Sequence, residues 1–114
     1  MFSESTFQLL RLRSELRGDT YVVEAHGELD LSTCDAFVRE LRGAGASGAK
    51  EILLDLNGLE FIDCAGVDAI VRMDERSRKR GRRFVVDPGP LQVRRVFWLT
   101  GAASRLSFAP KRRG

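Results

Sequence analysis

The stretch Ile52-Leu53-Leu54-Asp55-Leu56-Asn57-Gly58-Leu59-Glu60-Phe61-Ile62-Asp63-Cys64-Ala65-Gly66-Val67 decides how this chain is read. Ile52 to Leu56 is an apolar run broken only by Asp55, with the length of a strand buried on both faces. Asn57-Gly58 reads as a turn, because both residues tolerate the left-handed backbone. Leu59, Phe61 and Ile62 then bring the chain back toward a core. Asp63 can cap a following helix by accepting a backbone N–H two or three residues on. Cys64, Ala65 and Gly66 are small residues at that helix start, where backbone is open to a partner.

Elements on either side follow from periodicity. Phe7 to Leu16 alternates imperfectly between apolar and polar residues, which predicts an edge strand carrying a bulge. Arg17-Gly18-Asp19-Thr20 is a hairpin turn, and Tyr21 to Leu29 is a β-branched second strand pairing antiparallel with the first. Ser32 opens a helix, with Asp35 giving a capping-box-like start. Cys34, Phe37, Val38 and Leu41 recur at three and four residues on its buried face. The strand Glu51 to Leu56 follows, and then a helix from about Cys64 to Arg80. Its residues Val67, Ile70, Val71 and Met73 face inward, with Gly81 past its end. Arg83 to Asp87 is a short strand stopped by Pro88-Gly89-Pro90. Leu91 to Thr100 is a third helix with Val93, Val96, Phe97 and Leu99 as its apolar set. Leu106 to Phe108 is a last short strand. The order ββαβαβα, then β, predicts a mixed α/β sheet. An N-terminal antiparallel hairpin leads into parallel βα units, with helices packed on the sheet.

At 114 residues the chain reads as one domain over 1–114, with a core from about 7 to 108 and a basic tail from 109 to 114. An apolar fraction of 43% with 31% charged residues fits a soluble globular chain. No apolar run approaches the length of a membrane span, and Met1-Phe2-Ser3-Glu4-Ser5 lacks the features of a signal peptide. The expected location is cytoplasmic, with no membrane insertion. Cys34, Cys64 and the single His26 form no metal-binding pattern, so neither metal nor cofactor is expected. Cys64 is read as a small residue filling a tight helix start rather than as a reactive thiol. Net charge is +3. Arg76-Ser77-Arg78-Lys79-Arg80-Gly81-Arg82-Arg83 is the densest basic run, and Lys111-Arg112-Arg113 ends the chain. The first run is read as a solvated helix end whose dipole favours cations, in preference to an anion or nucleic-acid patch. No aromatic interleaves it, so direct nucleic-acid binding is not expected.

Three segments, in order, resemble the STAS family, the domain shared by anti-sigma factor antagonists and sulfate transporters. They are Gly27-Glu28-Leu29-Asp30, the stretch Asp55-Leu56 to Val67, and Val93-Arg94-Arg95-Val96-Phe97 ahead of Thr100-Gly101. The likeness runs from the first strand through Leu106. In that family the central segment reads Phe-(Ile/Met)-Asp-Ser-(Ser/Thr)-Gly-(Leu/Val), and a partner kinase phosphorylates the Ser or Thr before the Gly. Here that position is Ala65, which has no hydroxyl, and Cys64 stands where the preceding Ser usually sits.

The resemblance implies a bacterial anti-sigma factor antagonist of the kind that regulates transcription under stress. It would bind an anti-sigma factor, a GHKL-type serine kinase, and release a sigma factor, within a circuit that includes a PP2C-type phosphatase. Its partner-binding residues would be Glu28, Asp30, Ser32, Asp63, Cys64, Ala65, Gly66 and Val67. With Ala65 at the acceptor position, the usual phosphorylation is not expected; Ser32 and Thr33 are the nearest substitute acceptors. A second branch of the family supplies the alternative, a soluble STAS subunit of a lipid-type ABC transporter. A receiver-like phosphoacceptor domain using Asp30, Asp55 or Asp63 fits poorly, since no acidic pair follows the first strand. A Cys64–His26 nucleophilic pair has no support in the spacing, and the chain reads as a binding module rather than an enzyme.

Overall fold

The computed structural model describes residues 2–7 and 9–109; the basic run 111–113 lies outside them. Five strands form one sheet in sequence order: β1 (Phe2–Phe7), β2 (Leu10–Arg17), β3 (Thr20–Leu29), β4 (Glu51–Ile62) and β5 (Arg83–Asp87). β1 and β2 pair antiparallel, as do β2 and β3. β3, β4 and β5 are parallel, because a helix separates each from the next: α1 (Cys34–Gly45) and α2 (Cys64–Lys79). α3 (Leu91–Leu99) follows β5, then a 3-10 turn at Ala102–Ser104. Leu106 to Phe108 gives one parallel bridge, Val86 to Phe108, rather than a strand. The fold is the expected mixed α/β sheet, with one additional strand at its N-terminal edge.

That additional strand corrects the reading of Phe7 to Leu16. The chain reverses between Phe7 and Leu10, which are register partners, so Phe7 ends β1 and Leu10 begins β2. The break in alternation at Leu9-Leu10 marks this reversal and not a bulge. Leu9 is exposed and Leu10 fully buried.

One sheet face carries Leu12, Val23, Ala25, Ile52, Leu54, Leu56, Phe84 and Val86 into the core. Phe37 and Leu41 of α1, Val67, Ile70 and Val71 of α2, and Val93 and Phe97 of α3 close over it. Val96 is half-buried, but Leu99 is 86% exposed and does not join the apolar face expected of α3. Asp74 is a buried carboxylate that periodicity did not single out, at 1% exposure. Arg78 Nε reaches its Oδ2 at 3.1 Å, one turn on, while its Oδ1 has no hydrogen-bond partner among the described residues. Burial pushes this carboxyl above the usual range, with Arg78 pulling the other way.

The second correction concerns Asn57-Gly58, which is not a turn. β4 runs unbroken through it for 12 residues. Asp55 to Gly58 lies opposite Glu24 to His26, and Leu59 to Phe61 opposite Gly27 to Glu28. Each mismatch inserts one extra residue into β4, a bulge. Gly58 is needed because a Cβ there would collide with the His26 imidazole. Asp55 accepts from the Asn57 backbone N–H (2.9 Å) and side-chain amide (2.7 Å), and that amide also donates to Asp87 (2.8 Å).

Core placement is testable by truncation. Phe37→Ala is expected to lower stability by about 3–5 kcal/mol in urea unfolding, the usual cost of emptying a buried aromatic site. Leu99→Ala should change it by less than about 0.5 kcal/mol. Equal effects at the two positions would contradict the described packing of α1 and α3.

Candidate functional site

β3 and β4 end side by side, with Leu29 opposite Ile62. The β3–α1 loop and the start of α2 therefore emerge together at the C-terminal end of the parallel strands. This is where open α/β sheets commonly place their ligands.

Asp63 joins the two segments. It sits at the N-cap of α2 in an extended conformation, and its Oδ1 accepts from the Gly66 N–H at 2.9 Å. Its Oδ2 accepts from the Leu31 N–H in the facing loop at 3.2 Å. The Asp63 N–H donates to the Leu29 carbonyl at 3.3 Å. One residue thus caps a helix and braces a neighbouring loop. Gly66 packs against the same carbonyl, where any Cβ would meet the Leu29 oxygen.

The β3–α1 loop is also ordered from within. Asp30 Oδ1 accepts from the Ser32 hydroxyl (2.6 Å) and the Ser32 N–H (2.9 Å). Thr33 Oγ1 accepts from the Asp30 N–H and donates to the Glu28 carbonyl, both at 3.0 Å. The Thr33 and Cys34 N–H groups donate to the Asp30 carbonyl. α1 consequently begins at Cys34, not Ser32, and no capping box forms. The two hydroxyls that could have capped it are engaged with Asp30 and the end of β3. The Ser32 hydroxyl foremost, and then the loop amides, hold the Asp30 carboxyl below its usual range.

The expected site residues divide by burial. Ser32 and Cys64 are exposed, and Glu28, Asp30, Asp63 and Ala65 are half-buried. Gly66 and Val67 are buried: Val67 belongs to the core and Gly66 to the Leu29 contact, so neither offers a side chain to a partner. Cys64 does not fill the helix start, since its thiol faces outward while Cys34 is the buried cysteine. Thr33 is 1% exposed with its hydroxyl engaged, which removes it as an accessible acceptor. Asp55 lies with Asn57 and Asp87, apart from Asp30 and Asp63. Among the described residues no group of three or more His, Cys, Asp or Glu could hold a metal ion.

Two surface residues were missed by the sequence reading. Leu31 is 75% exposed in the β3–α1 loop, and Phe61, two residues before Asp63, is 48% exposed. Phe61 was expected in the core. The bulge between Leu59 and Phe61 breaks the alternation, so Leu59 and Ile62 are buried while Glu60 and Phe61 face out. No signal in the residues reveals a bulge there. Leu31, an apolar residue between the polar Asp30 and Ser32, was visible as an anomaly. On α2, Asp68 and Arg72 form an exposed ion pair at 3.0 Å.

Asp63→Ala is expected to cost about 1–2 kcal/mol in urea unfolding, the range for a lost helix cap. Asp63→Asn should retain most of that, because Asn also caps well. For Asp30 the folded pKa is depressed, so its contribution to loop order is present above the unfolded pKa and is lost as pH falls through the depressed value. In an NMR titration the Ser32 amide should move with a midpoint below the ordinary Asp value of 3.8. A midpoint at or above that value contradicts the hydrogen-bonded loop.

Comparison with known proteins agrees with this geometry. The family described as Mlab, STAS domain, matches residues 12–107. An anti-sigma F factor antagonist from Lysinibacillus sphaericus is 32% identical over 85 residues, spanning 73% of this chain and 72% of its own. An anti-sigma factor antagonist from Mycobacterium paratuberculosis superimposes with a TM-score of 0.77 at 22% identity, over 90% of this chain and 86% of that one. The anti-sigma factor antagonist SpoIIAA in its unphosphorylated form gives 0.72 at 22% identity, over 88% and 89%. With a family match across nearly the whole described core and the expected sheet order, this chain belongs to the STAS domain family.

Proposed function

We propose that this chain is an anti-sigma factor antagonist that docks an anti-sigma factor on the Asp63-braced surface and so frees a sigma factor. The observation that carries the reading is its 32% identity to an anti-sigma F factor antagonist across most of both chains. The surface suits the task. Exposed Leu31 and Phe61 supply apolar anchors, and Glu28 and Asp30 supply acceptors for basic or amide donors. Ser32, Cys64 and Ala65 complete the contact. Asp63 acts through the surface it holds, since both its oxygens are already engaged. No helix among the described residues is long and apolar enough to cross a membrane, which is compatible with a cytoplasmic partner.

The partner is a GHKL-type serine kinase, and this antagonist escapes its phosphorylation. A phosphoryl group would add roughly two negative charges at the contact and block docking by repulsion and desolvation. Ala65 cannot carry one, Thr33 is buried, and the Ser32 hydroxyl donates to Asp30. Docking is then set by the abundance of the two proteins, and a PP2C-type phosphatase has no phosphoryl group to remove at position 65. The family description Mlab, STAS domain, supports a second reading, a soluble STAS subunit of a lipid-type ABC transporter.

The test is affinity capture of the tagged chain from its native lysate, with mass spectrometry of partners and bait, followed by binding to the recovered partner. A GHKL-type kinase with unmodified bait is expected. Leu31→Asp and Phe61→Asp should weaken binding about tenfold or more, as loss of central apolar anchors does. With that kinase and ATP, the wild type should stay unmodified while Ala65→Ser is phosphorylated. Stoichiometric phosphorylation of the wild type contradicts the constitutive mode, and recovery of an ABC transporter ATPase moves the protein to the second reading.

A further inference from the structure

The far end of α2 holds a feature that antagonist docking does not use. A cleft of about 210 Å³ opens where the C-terminal ends of α1 and α2 meet the start of β4 and β5. Leu41, Ile52, Met73 and Phe84 supply its apolar side chains, and Arg42, Arg76, Arg80 and Arg82 its charge. No acidic side chain lines it.

The four arginines are not equivalent. Arg82 is committed to the fold, donating from Nε to the Ala49 carbonyl (2.7 Å) and from Nη2 to the Gly45 carbonyl (2.8 Å). Arg42, Arg76 and Arg80 form no ion pair among the described residues, whereas Arg72 and Arg78 on the same helix each take a carboxylate one turn back. Mutual repulsion, from Arg80 foremost and also from Arg42, lowers the proton affinity of Arg76.

Helix capping does not account for the three. A helix end attracts cations through its unpaired carbonyls, but here backbone and Arg82 already satisfy several of them. The Ser77 carbonyl accepts from the Arg80 and Arg82 N–H groups, and the Arg78 carbonyl from Gly81. The Gly43 and Ala44 carbonyls accept from Ala46 and Ser47. Three guanidiniums from two helices thus line one recess with no ion pair among the described residues, and each carries a planar fork of donors suited to an oxyanion.

The geometry points to a binding site for a phosphoryl-class oxyanion, free or as a small ester, held by Arg42, Arg76 and Arg80 in the cleft between the C-terminal ends of α1 and α2. The free ion and an ester present the same oxygens to the three arginines. They differ in the carbon substituent that an ester carries, which a comparison of the two ligands tests. The recess is too small for a run of stacked bases, and its one aromatic residue, Phe84, is buried. The 16-residue α2 separates this cleft from the Cys64 end by about 20 Å, so the two sites can be occupied together.

The experiment titrates the full chain with inorganic phosphate and, separately, phenyl phosphate, in chloride buffer of constant ionic strength. The thermal midpoint and the amide resonances of Gly45 and Ser77 are followed. A saturable rise in midpoint with shifts at those amides is expected. Tighter binding of phenyl phosphate assigns the site to esters, and equal binding assigns it to the free ion. Arg76→Gln should bind about tenfold more weakly or worse, the loss expected of a charge-assisted contact, yet be no less stable than wild type without phosphate. Arg95→Gln, at an exposed position of α3, should bind as wild type does. A midpoint that follows ionic strength alone, or an Arg76→Gln chain that responds like wild type, overturns the proposal.

Discussion

A single carboxylate, that of Asp63, divides its two oxygens between a helix start and a neighbouring loop, and the proposed docking face depends on that division. Either bond alone would be ordinary, since caps and loop braces each contribute around 1 kcal/mol. Together they fix the position of the β3–α1 loop relative to α2. The arrangement requires β3 and β4 to end at the same level, which the parallel register through Leu29 and Ile62 provides. It also requires Gly66, because any side chain there would push α2 away from the Leu29 carbonyl. The small residues of this segment therefore serve two different ends. Gly66 lets the protein pack on itself, while Cys64 and Ala65 keep the outer surface low.

The β4 bulges matter as much as the cap. A strand of strict alternation that buried Leu59 would also bury Phe61. The extra residue between them turns Phe61 outward, two residues before Asp63. Leu31 and Phe61 are exposed apolar side chains in the segments that meet at Asp63, alongside Asp30, Ser32, Cys64 and Ala65. Such a combination suits recognition of a protein partner better than chemistry on a small substrate. Ala65, in the same segment, has no hydroxyl to carry a phosphoryl group.

Much of this was legible in the residues. The Asp63 cap, the inward face of α2 and the bounds of β5 each have a local cause, and each holds in the structure. What was not legible depends on partners distant in sequence. Asn57-Gly58 has turn chemistry, but the glycine is there to clear His26 on a neighbouring strand. Ser32 and Asp35 look like a capping box, but Asp30 takes the Ser32 hydroxyl first, so α1 starts two residues later. Val67 carries the family pattern into the core rather than onto the surface. The basic run after Arg72 looked like one solvated face. Folding separates Arg76 to Arg83 into Arg78 and Arg83, each paired with a carboxylate, a structural Arg82, and Arg76 and Arg80, which form no ion pair among the described residues and line one cleft with Arg42 from another helix.

The central claim is that the braced loop and the start of α2 form one docking face. It is tested most directly by amide hydrogen exchange of the chain, free and saturated with its captured anti-sigma factor. Protection on binding should appear together at 30–34 and 61–68 and leave the arginine cleft unchanged. Protection confined to the other end of α2, to α3 or to the sheet edge at β1 would contradict the account.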